Sequence, residues 1–383
     1  MRVFNTEYER TTLEPLVGAR RQLGGVDLVT FGDGHARNTR GLDFRTGSGL
    51  RFQVLPDRGF DIGFAEFAGT GLAWLPPKGL AGPWFYEGDH DDYAWLRVGL
   101  GGLFNTAGLV SMGTPQTVST AQYGFTQRLE ARYGTHDRIA VTPAEQFNYG
   151  ERWDGDRLIL WAEGTVRQDI AYGENLTLSR RYEVEAGAST VAIRDEVCNE
   201  GFFPTPHQIL YHFNLGFPFL RWPGQVIARP DGPVGDLSFS TDSGGVRAPD
   251  RWQHITEPEP NFTHEGFTLP FSRDGDEVIT VAVATGAGTD RMAVFLRTRR
   301  PQLPCYVLWR MMRQGLYAYG LEPCNSPFGS TAELLEQGWP LMLEPGERRT
   351  YELEFGVVTG DEAVGHLAST ITGLHGERTT SSP

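Results

Sequence analysis

Short stretches of alternating apolar and polar residues recur along almost the whole chain, and this recurrence limits the folds open to it. Strand side chains point alternately to two faces, so a half-buried strand reads as period two. Residues 190–197 and 350–357 show the alternation directly. Further strand-like runs lie at 25–31, 51–55, 156–167, 176–185, 279–285, 292–298 and 305–311. With 48 glycines and 24 prolines, the chain has ample residues for the turns between them. Amphipathic helices are few, at 330–337 and 361–371. No linker divides the chain, and the Pro- and Gly-rich region 230–270 reads as long loops over one face. The expectation is an all-β fold: one large, mainly antiparallel β-sandwich over residues 1–370, with a polar C-terminal tail at 371–383.

Charge and motifs exclude several classes of function. The formal net charge is −14, which argues against nucleic acid or an anionic membrane as partner. It suits a neutral or cationic small substrate. No apolar run has the length of a membrane span and no secretory leader is evident, so a cytoplasmic protein is expected. The sequence sets no oligomeric state. Cys198, Cys305 and Cys324 are widely spaced and odd in number, which is not a disulfide framework. His254, Glu257, Glu259, His264 and Glu265 form a loose cluster without metal-ligand spacing. Gly99-Leu100-Gly101-Gly102 lacks the ending of a phosphate loop. No cofactor and no metal are expected. Arginine replaces lysine almost everywhere, and Lys78 is the only lysine in the chain.

The residues that invite chemistry sit on aromatic strands. Pro206 and the Gly216/Pro218 pair bound a strand on which His212 shares a face with Leu210 and Asn214, while Tyr211 and Phe213 point the other way. His207, an odd number of residues away, faces with Tyr211. A second aromatic run, Tyr317 to Leu321, ends on Glu322 and Pro323. A His and a Glu displayed on sheet strands make a candidate acid and base. The alternative is a satisfied structural histidine and a solvated edge glutamate. Asp57 and Arg58 end an apolar strand, where the guanidinium suits two hydroxyls or a carboxylate, or else braces the turn through Asp57 or Asp61. His136 and Arg138 lie in a polar segment that also reads as a surface turn. Asn105 follows two glycines and reads either as a hydroxyl donor or as part of a turn. Trp74, Trp84, Trp95 and Trp252 occur in loop-like contexts, where one could stack on the apolar face of a ligand.

These stretches carry a resemblance. His212-Phe213-Asn214-Leu215 resembles the His-Tyr-Phe-Asn-Leu signature of galactose mutarotases, with one residue missing. Leu321-Glu322-Pro323 resembles their late Glu-Pro-Gln signature, with Cys324 where Gln is usual. Residues 55–62, 101–109 and 133–138 resemble a bacterial aldose-epimerase-like branch of that superfamily. The resemblance covers roughly residues 20–360 and implies a two-sheet supersandwich and a small sugar or sugar derivative as ligand. It implies His212 as general acid and Glu322 as general base. Asp57, Arg58, Asn105, His136, Arg138 and Asn214 become substrate contacts.

The expected activity is therefore aldose 1-epimerase-like, opening the ring at the anomeric centre. The same acid and base serve an epimerase or isomerase of a modified sugar, and a binding protein without turnover is a different class. Schiff-base chemistry at Lys78 is a further alternative. The expected site is a cleft in which His212 and Glu322 stand about a sugar ring apart, with a rate that falls at low pH as Glu322 takes a proton.

Overall fold

The alternating segments form strands in the computed structural model, which describes residues 1–3, 6–88, 92–237, 248–272, 275 and 277–373. The principal strands are β1 (Gly25–Thr30), β2 (Arg40–Arg45), β3 (Leu50–Leu55), β4 (Asp61–Phe67), β5 (Phe104–Leu109), β6 (Ala144–Asp154), β7 (Arg157–Asp169), β8 (Asn175–Glu185) and β9 (Thr190–Asn199). They continue with β10 (Gln208–Gly216), β11 (Gly224–Ile227), β12 (Glu265–Leu269), β13 (Val278–Thr285), β14 (Met292–Arg299), β15 (Cys305–Arg313), β16 (Leu316–Cys324) and β17 (Arg348–Thr359).

Two sheets hold them. A 9-stranded sheet runs β6-β7-β8-β9-β17-β14-β13-β11 and ends on the short strand His254–Ile255. An 11-stranded sheet runs β12-β15-β16-β10-β5-β4-β3-β2-β1, with Gly235–Asp236 at its start and Thr70–Gly71 beside β4. Neighbouring strands are antiparallel in both. The two segments with the clearest alternation pair with each other: Ile193 lies opposite Leu353 and Val191 opposite Phe355. Phe355 then packs on Phe52 and Phe213 of the facing sheet, at centroid distances of 5.9 and 6.0 Å. One core cluster takes buried side chains from both sheets. Each large apolar side chain buried there contributes about 1.5–3 kcal/mol.

Both expected helices are present. Thr331–Glu336 (α2, after α1 at Ala94–Val98) starts at Ser330, whose hydroxyl accepts from the Glu333 amide while Glu333 accepts from the Ser330 amide. That reciprocal cap fixes the helix start. Asp361–Thr372 (α3) buries Val364, Leu367 and Ile371 against Ala282, Ala293 and Phe295, on the outer face of the 9-stranded sheet. It passes the boundary expected at residue 370, and the rest of the tail, 374–383, lies outside the described residues. The region 230–270, read as loops, contains the strand β12, which pairs with β15. Among the described residues no helix is long and apolar enough to cross a membrane.

Candidate active site

Strand β10 places one ionisable group on each side of the 11-stranded sheet. Its odd-numbered residues face the sandwich interior: Tyr211 donates to Asp195 of β9 at 2.9 Å, and His207, just before β10, lies 2.8 Å from the Tyr351 hydroxyl of β17. His207 is thereby a structural group, and burial holds its pKa down to about 4. The even-numbered residues face outward. There His212 meets three other strands of the sheet. β5 puts Asn105 opposite His212, β16 puts Glu322 on the same face, and β15 brings the Trp309 ring to 5.6 Å from the imidazole.

The His212 Nε2 and Glu322 Oε1 atoms are 3.1 Å apart. This is closer than the sugar-ring separation expected from the sequence. The pair is not aligned for a hydrogen bond, and both Glu322 Oε1 and His212 Nδ1 lack a partner within the protein. His212 is 5% exposed and Glu322 2%. Burial pushes the Glu322 carboxyl well above the usual carboxylate range. It pushes His212 well below the usual imidazole range, with His136 adding to the effect and Asn214 opposing it. Burial thus favours the uncharged form of each group, since neither charge is hydrated.

Close packing holds the pair in place. Gly320 sits two residues before Glu322, and a Cβ built on it would come 2.5 Å from Glu322 Oε1 and 3.0 Å from Trp309 Cβ. The carboxylate therefore occupies the space a side chain at 320 would need. Asn214 donates to Asn105 Oδ1 at 3.1 Å, and Asn105 to the Gly101 carbonyl at 3.3 Å. Gly102, at φ 115°, lets β5 begin beside β4, where a Cβ would meet the Ile62 carbonyl at 2.8 Å. Asn105 therefore belongs to a buried central strand rather than a turn.

His136 also reaches the site. It lies at φ 58° in a left-handed turn, as the polar sequence around it suggests, but the turn is buried. Its Nδ1 accepts from the Gly113 amide at 3.2 Å, which leaves the proton on Nε2. Its ring stands perpendicular to that of His212, with centroids 5.7 Å apart. Burial lowers its pKa to about 4. Trp95 of α1 covers both histidines, at 4.5 Å from His136 and 5.8 Å from His212.

Three other candidates are placed differently. Asp57 is committed to Arg40, accepting from its amide at 2.7 Å and its guanidinium at 2.5 Å. Arg138 turns away to Glu174 at 2.7 Å and the Asp169 carbonyl at 3.0 Å. Arg58 is fully buried, and its guanidinium donates from Nη2 to the Gly99 carbonyl at 2.7 Å. Its Nε and Nη1 have no partner. Burial lowers its pKa to about 10, against the opposing pull of Asp61. Of the tryptophans, Trp252 is core and Trp84 is half-exposed.

A cleft of about 880 Å³ adjoins the pair through Trp309, which packs on His212; neither His212 nor Glu322 lines it, contrary to the single cleft expected from the sequence. Trp74 and Trp309 line it, in edge contact at 6.4 Å. Lys78, Leu96, Arg97 and His264 line it as well. Sequence reasoning missed Trp309, which follows from strand alternation once β15 is paired with β16, and weighed His264 only as part of a loose metal cluster, not as a lining residue of this cleft. His212, Glu322, Asn214, Arg58 and Trp95 each carry a buried polar atom without a partner, and Glu322 and Trp95 both lie against His212. An unsatisfied buried polar group costs about 1–3 kcal/mol, and such a cluster marks a place built for a polar ligand. Among the described residues, no three His, Cys, Asp or Glu converge as metal ligands. Glu265 is instead held by Arg310 at 2.6 Å and Arg251 at 3.0 Å. No disulfide joins the cysteines among the described residues, and Cys305 lies directly opposite Cys324 in the β15–β16 pair.

The two antiparallel sheets form the galactose mutarotase-like all-β fold. A candidate aldose 1-epimerase from Klebsiella pneumoniae superposes with a TM-score of 0.79 over 94% of this chain and 91% of its own, at 20% identity. A galactose mutarotase-like protein from Clostridium acetobutylicum gives 0.56 over 87% and 98%, at 12% identity. Galactose 1-epimerase from Lactobacillus acidophilus gives 0.53 over 88% and 99%, at 14% identity. No curated protein matches the chain. The chain belongs to the DUF4432 family, a domain of unknown function whose profile matches residues 36–357.

Proposed function

We propose that this protein is an isomerase acting at the anomeric centre of a sugar, in the manner of an aldose 1-epimerase. The observation that carries the reading is the buried His212–Glu322 pair, 3.1 Å apart, with an unpartnered polar atom on each member. The pair shares one proton. With a cyclic sugar bound, the ligand's hydroxyls stabilise the form in which Glu322 is a carboxylate and His212 an imidazolium. Glu322 takes the proton from the anomeric hydroxyl and His212 gives its proton to the ring oxygen. The bond between the ring oxygen and the anomeric carbon breaks, and the carbonyl forms. Both protein groups are then uncharged, the state that burial favours. Rotation of the carbonyl and the reverse transfers close the ring as the other anomer. Asn105, Asn214 and His136 provide hydrogen bonds to hydroxyls, and Trp74 and Trp309 provide apolar faces for the ring.

Exchange spectroscopy by NMR on a panel of aldoses tests this, since it reads both anomers at equilibrium. Cross-peaks between anomers that grow with enzyme concentration are expected. In heavy water no deuterium should enter at carbon, because only oxygen-bound protons move. Carbon deuteration would replace ring opening by epimerisation at carbon, and binding without exchange would leave a binding protein.

The packing at Gly320 supplies a further test. A Gly320→Ala Cβ meets the flexible end of Glu322, which must turn aside, and the Trp309 Cβ at 3.0 Å, which must give by a few tenths of an ångström. The carboxylate then shifts by a fraction of its own length. Misplacing a catalytic group by about 1 Å can cost about 10²-fold. Gly320→Ala is therefore expected to keep its unfolding midpoint in urea while losing kcat on that scale.

A further inference from the structure

The chain is acidic as a whole, with a net charge of −14, yet the described lining of the cleft beside His212 is not. Among the described residues the cleft wall carries Lys78 and Arg97 with one carboxylate, Glu87. Glu87 lies 4.0 Å from Arg97 and offsets that charge. Lys78 has no ion pair among the described residues, and it is the chain's only lysine. It is half-buried, and burial together with the nearby Arg58 charge holds its amine below the usual lysine range. Arg58 forms the next layer. It is sealed in the protein, bonded through Nη2 to the carbonyl of Gly99, which lies between the cleft-lining residues Val98 and Leu100. Its neighbour Asp61 is already taken by Arg180 at 2.5 Å and by the Thr106 amide at 2.8 Å and hydroxyl at 2.5 Å. Two cations that repel one another thus stand on one side of a sugar-sized cleft, and the nearer has no carboxylate of its own. Such an arrangement is unfavourable until an anion joins it.

We propose that the substrate is an acidic sugar whose carboxylate or phosphate is bound by the Lys78 ammonium at the cleft wall, with Arg58 reinforcing the positive field from behind. The net charge of the chain points the other way, towards a neutral or cationic substrate. A local field in a low-dielectric cleft outweighs remote charges screened beyond about 10 Å of salt solution. The inference names the substrate class for the anomeric-centre reading and rests on it.

The test measures anomer exchange by NMR on the full chain with galactose, galacturonate and galactose 6-phosphate at low ionic strength. The expected kcat/KM for one of the two acids exceeds that for galactose by about 10- to 100-fold, the worth of a charge-assisted hydrogen bond. The better acid identifies the anionic group. In Lys78→Met the ratio of acid to galactose should fall towards one. In Lys78→Arg it should largely persist, which separates charge from fold. If galactose is turned over as well as either acid, the acidic-sugar proposal is overturned and the anomeric-centre reading stands. If no sugar is exchanged, yet saturation-transfer NMR shows galacturonate or galactose 6-phosphate bound and lost in Lys78→Met, the anion site stands and the catalytic reading falls. Absence of both binding and exchange with the acids overturns the proposal. So does a borohydride-trapped adduct on Lys78, which would make the amine a nucleophile instead of an ion partner.

Discussion

Glu322→Gln is expected to lower kcat for anomer exchange by about 10²–10⁴-fold, the usual contribution of a general base, with little change in KM. Glutamine reproduces the shape of Glu322 and the uncharged state that burial favours there, so folding should be unaffected. What it cannot do is accept the anomeric proton. The loss belongs to the transition state, where that proton moves, and so appears in kcat and kcat/KM together. His212→Asn should lose a comparable factor by removing the proton donor. Undiminished turnover by Glu322→Gln on the preferred sugar would remove the base from the mechanism. The pH profile gives a second measurement. The pair works while it holds one proton between its two members, and its apparent pKa values belong to the pair. Burial lowers His212, so a second proton arrives only below the ordinary imidazole value of about 6.5. Burial raises Glu322, so the shared proton is lost only well above the ordinary carboxylate range. The rate should therefore be flat across neutral pH and fall on both sides. The low-pH fall then belongs to protonation of the histidine side of the pair, whereas the sequence alone placed it on Glu322.

The fold was legible because most strands are buried on one face and solvated on the other. Alternation then survives in the sequence, as in residues 190–197 and 350–357, which prove to be neighbours. The centre of the larger sheet hides itself for the opposite reason. β5 is buried on both faces, yet contains Asn105 and Gly108, residue types depleted from strands, and the polar Thr106. Thr106 is tolerated there because Asp61 accepts both its amide and its hydroxyl. Asn105 is tolerated because Gly101 and Asn214 pair with it. Those partners are between 4 and 109 residues away along the chain, so no local pattern announces them. The turn at His136 and Asp137 misleads similarly: its residues suit a surface, but Asp137 accepts from Gln168 at 2.7 Å inside the protein. Strand parity put His212 and Asn214 on one face without any structure. It was unable to show that Glu322 touches the imidazole, since that depends on which strands are neighbours. Nor did it show that Asp57 is taken by Arg40, a partner 17 residues earlier.

Arg180→Met is expected to be the most destabilising single change away from the site, at about 3–5 kcal/mol. Arg180 comes from β8 in the 9-stranded sheet, and its side chain is entirely buried between the sheets. It grips Asp195 through Nε and Nη2 at 2.8 and 2.6 Å, and Asp61 of the facing sheet through Nη1 at 2.5 Å. Its guanidinium also lies 4.6 Å from the centre of the Phe104 ring. Methionine fills much of the space but leaves two carboxylates buried without their cation, which is the costly outcome. Burial already holds Asp61 above its ordinary range, with Arg180 as the main opposing influence. Without Arg180 the folded state would bind protons still more tightly than the unfolded one. Stability then falls as pH rises above about 4, so the deficit against the parent protein should shrink on acidification. Urea unfolding at neutral and mildly acid pH measures this. Asp61→Asn and Asp195→Asn added to Arg180→Met should recover part of the loss by removing the stranded charges. If Arg180→Met alone costs less than about 1 kcal/mol, the group is not what clamps the sheets. The clamp also bears on the site. Tyr211, bonded to Asp195, adjoins His212, and Thr106, bonded to Asp61, adjoins Asn105. Arg180→Met protein that remains folded should therefore show reduced kcat as well, because the strands carrying His212 and Asn105 have lost the anchor beneath them.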